Sequence, residues 1–302
     1  MKAWLNRIVP AAGLIALIGA VWFGAPLVGF ANTRPFQPVW VRLVVIAVVV
    51  LAVGGYYGFR YWQKRKAAKA LEEEILRNEA NFAGKLYEPD EGVKYAMKIA
   101  RSSNKPVVIA DTQDNPGAGG DSNTTGMLRA LVENDAPNAA IGIMVDEEVA
   151  RIAHSAGEGA EITVALGGKS NIPGDRPFHA SFKVVKLNTG QFTGTGPFYK
   201  GARMNLGLMA CLKIRDVEIV VACKKAQMAD QEMYRHVGIE PTRKGILVNK
   251  SSVHFRADFQ PIAQEVLVCT APGPMVADPA LLPWTRLRHG IKLRPLGPEF
   301  EG

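Results

Sequence analysis

The sequence predicts an α/β protein: a mostly parallel sheet with flanking helices plus an antiparallel β layer, preceded by a two-helix transmembrane hairpin. Three observations carry this. From Glu91 to Leu166, short apolar runs alternate with stretches of helical pattern, which implies parallel strands with helices on their faces. From Phe178 to Cys223 the runs become short and alternating, broken by Asn-Thr-Gly and Arg-Asp turns, as in antiparallel strands. The first 60 residues hold two long uncharged runs, each near the ~20 residues that a hydrocarbon core requires. A length of 302 residues accommodates one large domain or two ordinary ones.

In chain order, residues 1–62 form the hairpin, with spans at about 8–30 and 39–59. Trp22, Phe23 and Pro26 stand where a signal-peptide cleavage site would want small residues, so the first span reads as retained. Only Ala31–Pro38 joins the two spans. Lys2 and Arg7 precede the first, and Arg60, Lys64, Arg65, Lys66 and Lys69 follow the second. That charge distribution predicts both termini on the cytoplasmic side of a bacterial inner membrane, with the lipid bilayer as a partner. The same basic cluster supplies much of the +8 net charge, and no nucleic-acid-binding motif accompanies it. Residues 63–84 read as a charged stalk, helical over Gln63–Asn78. Cys211, Cys223 and Cys269 are odd in number and without a CxxC pair, which fits structural thiols in a reducing compartment.

The soluble domain occupies 85–302. Helix candidates are Glu91–Ser102, Thr124–Glu133, a stretch capped by Asp146 and running to Ala156, and Asp230–Val237. Interior strands are expected at Val107–Ala110, Ala139–Val145, Glu161–Leu166, Gly245–Asn249 and Glu265–Thr270, with an irregular Pro-rich tail behind them.

Two constellations carry chemistry. The first is the turn after the Val107 strand, with Asp111, Asp114 and Asp121 among Asn115, Gly117, Gly119 and Gly120. Carboxylates leaving a strand end can hold a metal or position a polar group. Alternatively, Asp114 and Asn115 close the turn and Asp121 caps the next helix. The second is Lys250-Ser251-Ser252-Val253-His254-Phe255-Arg256, which follows another predicted parallel strand. Parallel strands deliver their C-terminal ends to one sheet edge, so Asp111, Asp114, His254 and Arg256 are expected along one cleft. There Lys250 and Arg256 would fix an anionic group, Ser251 would contact substrate, and His254 would shuttle a proton or bind a metal. His254 also has the alternative role of a hydrogen-bonded packing residue. Gly168-Lys169-Ser170 imitates the end of a phosphate-binding loop, but Thr163 stands where the first glycine is required.

Two resemblances follow from longer stretches. WFGAPLVGF, RPFQPVWVRL and the basic tail behind them resemble the N-terminus of the IcmF-like inner-membrane proteins of type VI secretion, over about residues 1–75. PVVIADTQDNPGAGGDSNTTGMLRAL, VALGGKS, KKAQMADQEMYRHVGIEP, LVNKSSVHFRADFQPIAQEVL and LPWTRLR resemble the C-terminal domain of the microcystinase C (MlrC) family, bacterial zinc metallopeptidases, over about Tyr87–Phe300. The resemblance implies a peptide hydrolase domain in which the DNPGAGG turn closes an active-site cleft and KSSVHFR forms its second wall. In that family a larger N-terminal domain carries the main zinc ligands, and no such ligand set matches here. The expectation is therefore a fusion: a membrane tether in front of a metallopeptidase C-half that is catalytically incomplete alone. On this view the chain holds no zinc by itself, and Asp114 meets a metal only when a partner N-terminal domain is in place. Its partners would be that domain or a homo-oligomer, together with a peptide substrate. The alternative is a membrane-anchored scaffold of a type VI secretion complex with a binding module.

Overall fold

The computed structural model describes Ile18 and residues 39 to 301. Apart from Ile18, the first predicted span and the segment joining it to the second lie outside the described residues. The chain divides into two compact units, residues 1–81 and 82–302.

In the first unit, helix α1 runs unbroken over Val39–Arg77. The predicted second span and the charged stalk are thus one helix. Its best 18-residue window has a mean hydropathy of 2.3, long and apolar enough to cross a membrane, as a span or a signal sequence would be. Alanine, leucine and alternating charge continue the helix beyond the apolar part without a breaker.

The second unit contains helices α2 (Pro89–Ala100), α3 (Gly126–Glu133), α4 (Glu147–Ala156), α5 (Glu232–Arg235) and α6 (Arg256–Phe259). Its strands are β1 (Val107–Asp111), β2 (Ala139–Val145), β3 (Glu161–Leu166), β4 (Phe178–Asn188), β5 (Gln191–Thr193), β6 (Arg203–Asn205), β7 (Met209–Ile214), β8 (Val217–Ala222), β9 (Ile246–Asn249) and β10 (Glu265–Cys269). Eight of these form one sheet in the order β10-β1-β9-β2-β8-β7-β4-β3, and β5 with β6 forms a separate ribbon. The first five strands in that order pair in parallel. From β8 onward every pairing is antiparallel.

Two expectations need correcting. Most of the antiparallel strands, β4, β7 and β8, continue the parallel sheet, while β5 and β6 form a small antiparallel sheet apart from it. Glu161–Leu166 pairs antiparallel with β4 (Phe178–Asn188), joined to it by a Gly- and Pro-containing loop. A parallel return needs a crossover of a dozen or more residues, usually helical, and that loop supplies none.

The pleat sorts the core. Val107 and Ile109 face a cluster that includes Leu128, Leu131 and Val149 from α3 and α4. Val108 and Ala110 face the other, with Met233, Tyr234, Phe255 and Phe259 from around α5 and α6. The sheet is covered on both faces, as a buried parallel sheet requires. What remains for function is its edge, where the segments after β1, β2, β8, β9 and β10 emerge together.

Candidate functional site

At that edge the sequence-derived site residues separate into a buried layer and a surface layer. In the buried layer, Asp111 ends β1 and Lys250 follows β9. Lys250 Nζ donates to Asp111 Oδ2 at 2.8 Å, to Asp114 Oδ2 at 2.9 Å and to Thr124 Oγ1 at 3.1 Å. Asp111, Asp114 and Lys250 are all fully buried. Asp114 is also the anchor of its own turn. Its Oδ1 accepts from the Ser122 amide at 2.8 Å, and its Oδ2 accepts from the Thr124 amide at 2.8 Å and the Thr124 hydroxyl at 2.9 Å.

These surroundings set opposite charge preferences. Burial opposes ionisation of Asp114, but the Lys250 ammonium and the two amides outweigh it and hold the carboxyl below its usual range. Burial pushes Asp111 up despite Lys250, and its Oδ1 has no hydrogen-bond partner. Burial works against the Lys250 ammonium too, and the two carboxylates reverse that and raise it. Lys250 is therefore the resident counter-ion of the two aspartates and is not presented to a ligand.

The glycines serve the same closure. A Cβ on Gly117 would lie 2.2 Å from Gln227 Nε2, and one on Gly120 would lie 2.8 Å from Asp114 Oδ1. Only Gly119, at φ +96°, faces open space among the turn's glycines. Asn115 accepts from the Gly117 amide at 3.0 Å and donates to Ser252 Oγ at 3.1 Å, while Ser252 Oγ donates to the Thr112 carbonyl at 2.9 Å. The two sequence constellations do meet, joined by Lys250, by Ser252 and by Gln227.

Asp121 does not cap α3. It accepts from Ser170 Oγ at 2.7 Å and Lys225 Nζ at 3.1 Å, and these bonds, Ser170's first, lower its pKa. Thr125 at the N-terminus of α3 instead bonds Asp175, by its amide at 2.9 Å and its hydroxyl at 3.0 Å. The Gly-Lys-Ser stretch is not followed by a helix. Its Lys169 sits between Asp146, at 3.0 Å, and Glu148, at 2.8 Å, while Asp146 caps α4 by accepting from the Val149 amide at 3.2 Å.

The surface layer holds His254 and Arg256. His254 is exposed. Its Nδ1 lies 3.0 Å from Gln227 Oε1, an oxygen that also accepts from Ser251 Oγ at 3.3 Å. Its ring stacks on Phe198 with centroids 4.4 Å apart and planes at 25°. Arg256 is half-buried, with its guanidinium 5.7 Å from the centre of the Phe255 ring. Gln227 and Phe198 are the residues that sequence reasoning missed. Gln227 lies within the KKAQMADQEMYRHVGIEP stretch, where nothing marked it as a site residue; the signal for Phe198 was its place after the Gly-Thr-Gly of residues 194–196.

Among the described residues no three His, Cys, Asp or Glu groups converge. The Asp111–Asp114 pair already encloses the Lys250 ammonium.

Comparison with known proteins agrees with this architecture. The family model of the MlrC C-terminus matches residues 109–286. Microcystinase C from Sphingomonas sp. is 27% identical over 180 residues, which cover 59% of this chain and 35% of that protein. The chain thus spans about a third of the length of that curated relative. The crystal structure of a "Putative metallopeptidase" from Mesorhizobium sp. BNC1 superposes with a TM-score of 0.61 at 24% identity, covering 74% of this chain and 44% of that one.

Proposed function

Because this chain belongs to the MlrC C-terminus family, we propose that it acts as the membrane-tethered C-terminal half of a zinc metallopeptidase, incomplete for peptide hydrolysis until a metal-bearing partner docks on its sheet edge. The observation that carries this is the closed state of the Asp111–Lys250–Asp114 cluster. The acidic turn is built to hold its own shape around an internal cation, leaving metal chemistry to groups brought from outside. The share of microcystinase C that this chain does not match, well over half, is where such groups would reside.

Zinc, when bound by the partner, would polarise a peptide carbonyl and activate water. This chain's part is to supply a rigid wall. Asp111, Asp114 and Lys250 fix the turn, Gly119 leaves open space beside its backbone, and His254 and Arg256 face outward at the rim. Exposed apolar side chains beside the rim, Val253 next to His254 at 63% and Phe198 stacked on it at 41% exposure, give a partner surface to bury. The tail after β10 wraps the turn from the other side, since Gln113 bonds Ala271 at 2.8 Å and Ala277 at 3.0 Å. Helix α1 would tether the assembly to an inner membrane with both termini cytoplasmic.

Purification of the full chain from its native membranes, with identification of stoichiometric companions, tests the proposal. Recovery of a polypeptide resembling the unmatched N-terminal part of microcystinase C is expected. Recovery of secretion-apparatus proteins in its place would favour the membrane scaffold.

A further inference from the structure

His254 is exposed, yet it is held on two sides. An amide oxygen accepts hydrogen bonds and cannot donate them. Gln227 Oε1 lies 3.0 Å from His254 Nδ1, so the proton of the neutral imidazole belongs on Nδ1. Nε2 then carries the lone pair, and it has no hydrogen-bond partner among the described residues. The nitrogen that is fixed dictates the chemistry of the nitrogen that is free.

The support behind this arrangement is built with care for position. Gln227 is itself buried, its oxygen is shared with Ser251, and its amide nitrogen fills the space where Gly117 lacks a side chain. On the other side, Phe198 stacks on the imidazole. Phe198 is placed by the loop of residues 194–198, which the fully buried Asp230 pins by accepting from the Gly196 amide at 2.8 Å. Asp258 closes the same corner: it accepts from the Gln231 amide at 2.7 Å, and a Cβ on Gly196 would lie 2.6 Å from its Oδ2. Two loops far apart in sequence thus converge to hold one surface histidine in one orientation.

We propose that Gln227 is a positioning residue that holds His254 as its Nδ1–H tautomer, with Phe198 fixing the ring plane, so that the bare Nε2 serves as a hydrogen-bond and proton acceptor for an amide N–H or hydroxyl reaching the edge. That the arriving group is a peptide rests on the function proposed above; the tautomer does not. A merely structural histidine at an exposed position would take the Nε2–H form that dominates in water.

The test is nitrogen-15 NMR of the full chain in detergent micelles, labelled at its five histidines, with the His254→Gln variant identifying the His254 resonances. At mildly alkaline pH the long-range proton–nitrogen pattern is expected to show Nδ1 protonated and Nε2 bare. Gln227→Ala should convert His254 to the Nε2–H form, while Gln227→Glu, whose carboxylate also accepts, should retain Nδ1–H. An Nε2–H pattern in the unsubstituted protein overturns the proposal. If Gln227→Ala does not fold, Gln227→Glu decides, and loss of Nδ1–H there would equally overturn it. Failure of the metallopeptidase reading would show in partner recovery and turnover and would leave the tautomer untouched.

Discussion

Replacing Lys250 by methionine should be among the most damaging single substitutions in the second unit. Lys250 Nζ lies 2.8 and 2.9 Å from two carboxylates that water does not reach. Methionine would fill most of the volume and leave two buried aspartates facing each other. Removing one partner of a buried ion pair costs about 3–5 kcal/mol, and the usual total stability of a domain is about 5–15 kcal/mol. The folded-to-unfolded ratio should therefore fall by roughly a hundredfold to a few thousandfold. The structure also says which second substitution repairs the damage. Asp111 is pushed towards its neutral form by burial and has an unpartnered oxygen, whereas Asp114 needs both oxygens for the Ser122 and Thr124 amides. Asp111→Asn in the Lys250→Met background should recover about 1–3 kcal/mol, and Asp114→Asn should not. Hydrogen exchange of the β1 and β9 amides across a urea series, on the full chain in micelles, measures these differences directly. A loss of protection below tenfold for Lys250→Met, or equal rescue by the two asparagines, would refute the reasoning.

Three further outcomes follow from the same contacts. Gly117→Ala puts a methyl group 2.2 Å from Gln227 Nε2, the far end of a side chain; it should cost less than about 2 kcal/mol in urea unfolding while shifting His254 towards the Nε2–H form, which the same NMR measurement would read. Arg235, helped by Thr242, draws Glu240 from its ordinary 4.5 down to about 2. Because the folded value is the lower one, the stabilisation is present above about 4.5 and lost as pH falls towards about 2, so Glu240→Gln should flatten the stability–pH curve across that window and leave it unchanged in slope at neutral pH. A cysteine introduced at Thr33 should react with a membrane-impermeant maleimide in cells whose outer membrane has been permeabilised, because the positive charges flank both predicted spans on the opposite side; protection of that cysteine with labelling of the C-terminus would reverse the orientation.

Much of the parallel half of the sheet was legible because its strands are short apolar runs closed by turn residues. Asp146 was legible as a cap because its side chain needs only a neighbouring amide three residues on. The meeting of the two constellations at one edge followed from the geometry of parallel strands alone. The direction of Glu161–Leu166 was misjudged although the signal was present: the Gly-Gly-Lys-Ser-Asn-Ile-Pro-Gly stretch behind it has no helical period to carry a crossover. Lys250 was harder. A lysine at a strand end reads as a surface cation, and its burial depends on aspartates about 140 residues earlier whose carboxylates arrive from another strand. Gln227, Phe198, Asp230 and Asp258 were invisible for a related reason. Gln227, Asp230 and Asp258 lie in stretches that carry the family resemblance, but nothing local marks them out, and the fold alone brings them with Phe198 around His254.

The central claim is that this chain lends shape and a rim histidine to a metallopeptidase whose metal is held elsewhere. Its most direct test is zinc analysis of the purified full chain in micelles, combined with a peptidase assay on linear peptides before and after addition of zinc. The account predicts zinc well below one equivalent per chain after mild chelation and dialysis, and no turnover above the buffer rate. One tightly held zinc per chain, with turnover that disappears when it is removed, would contradict it.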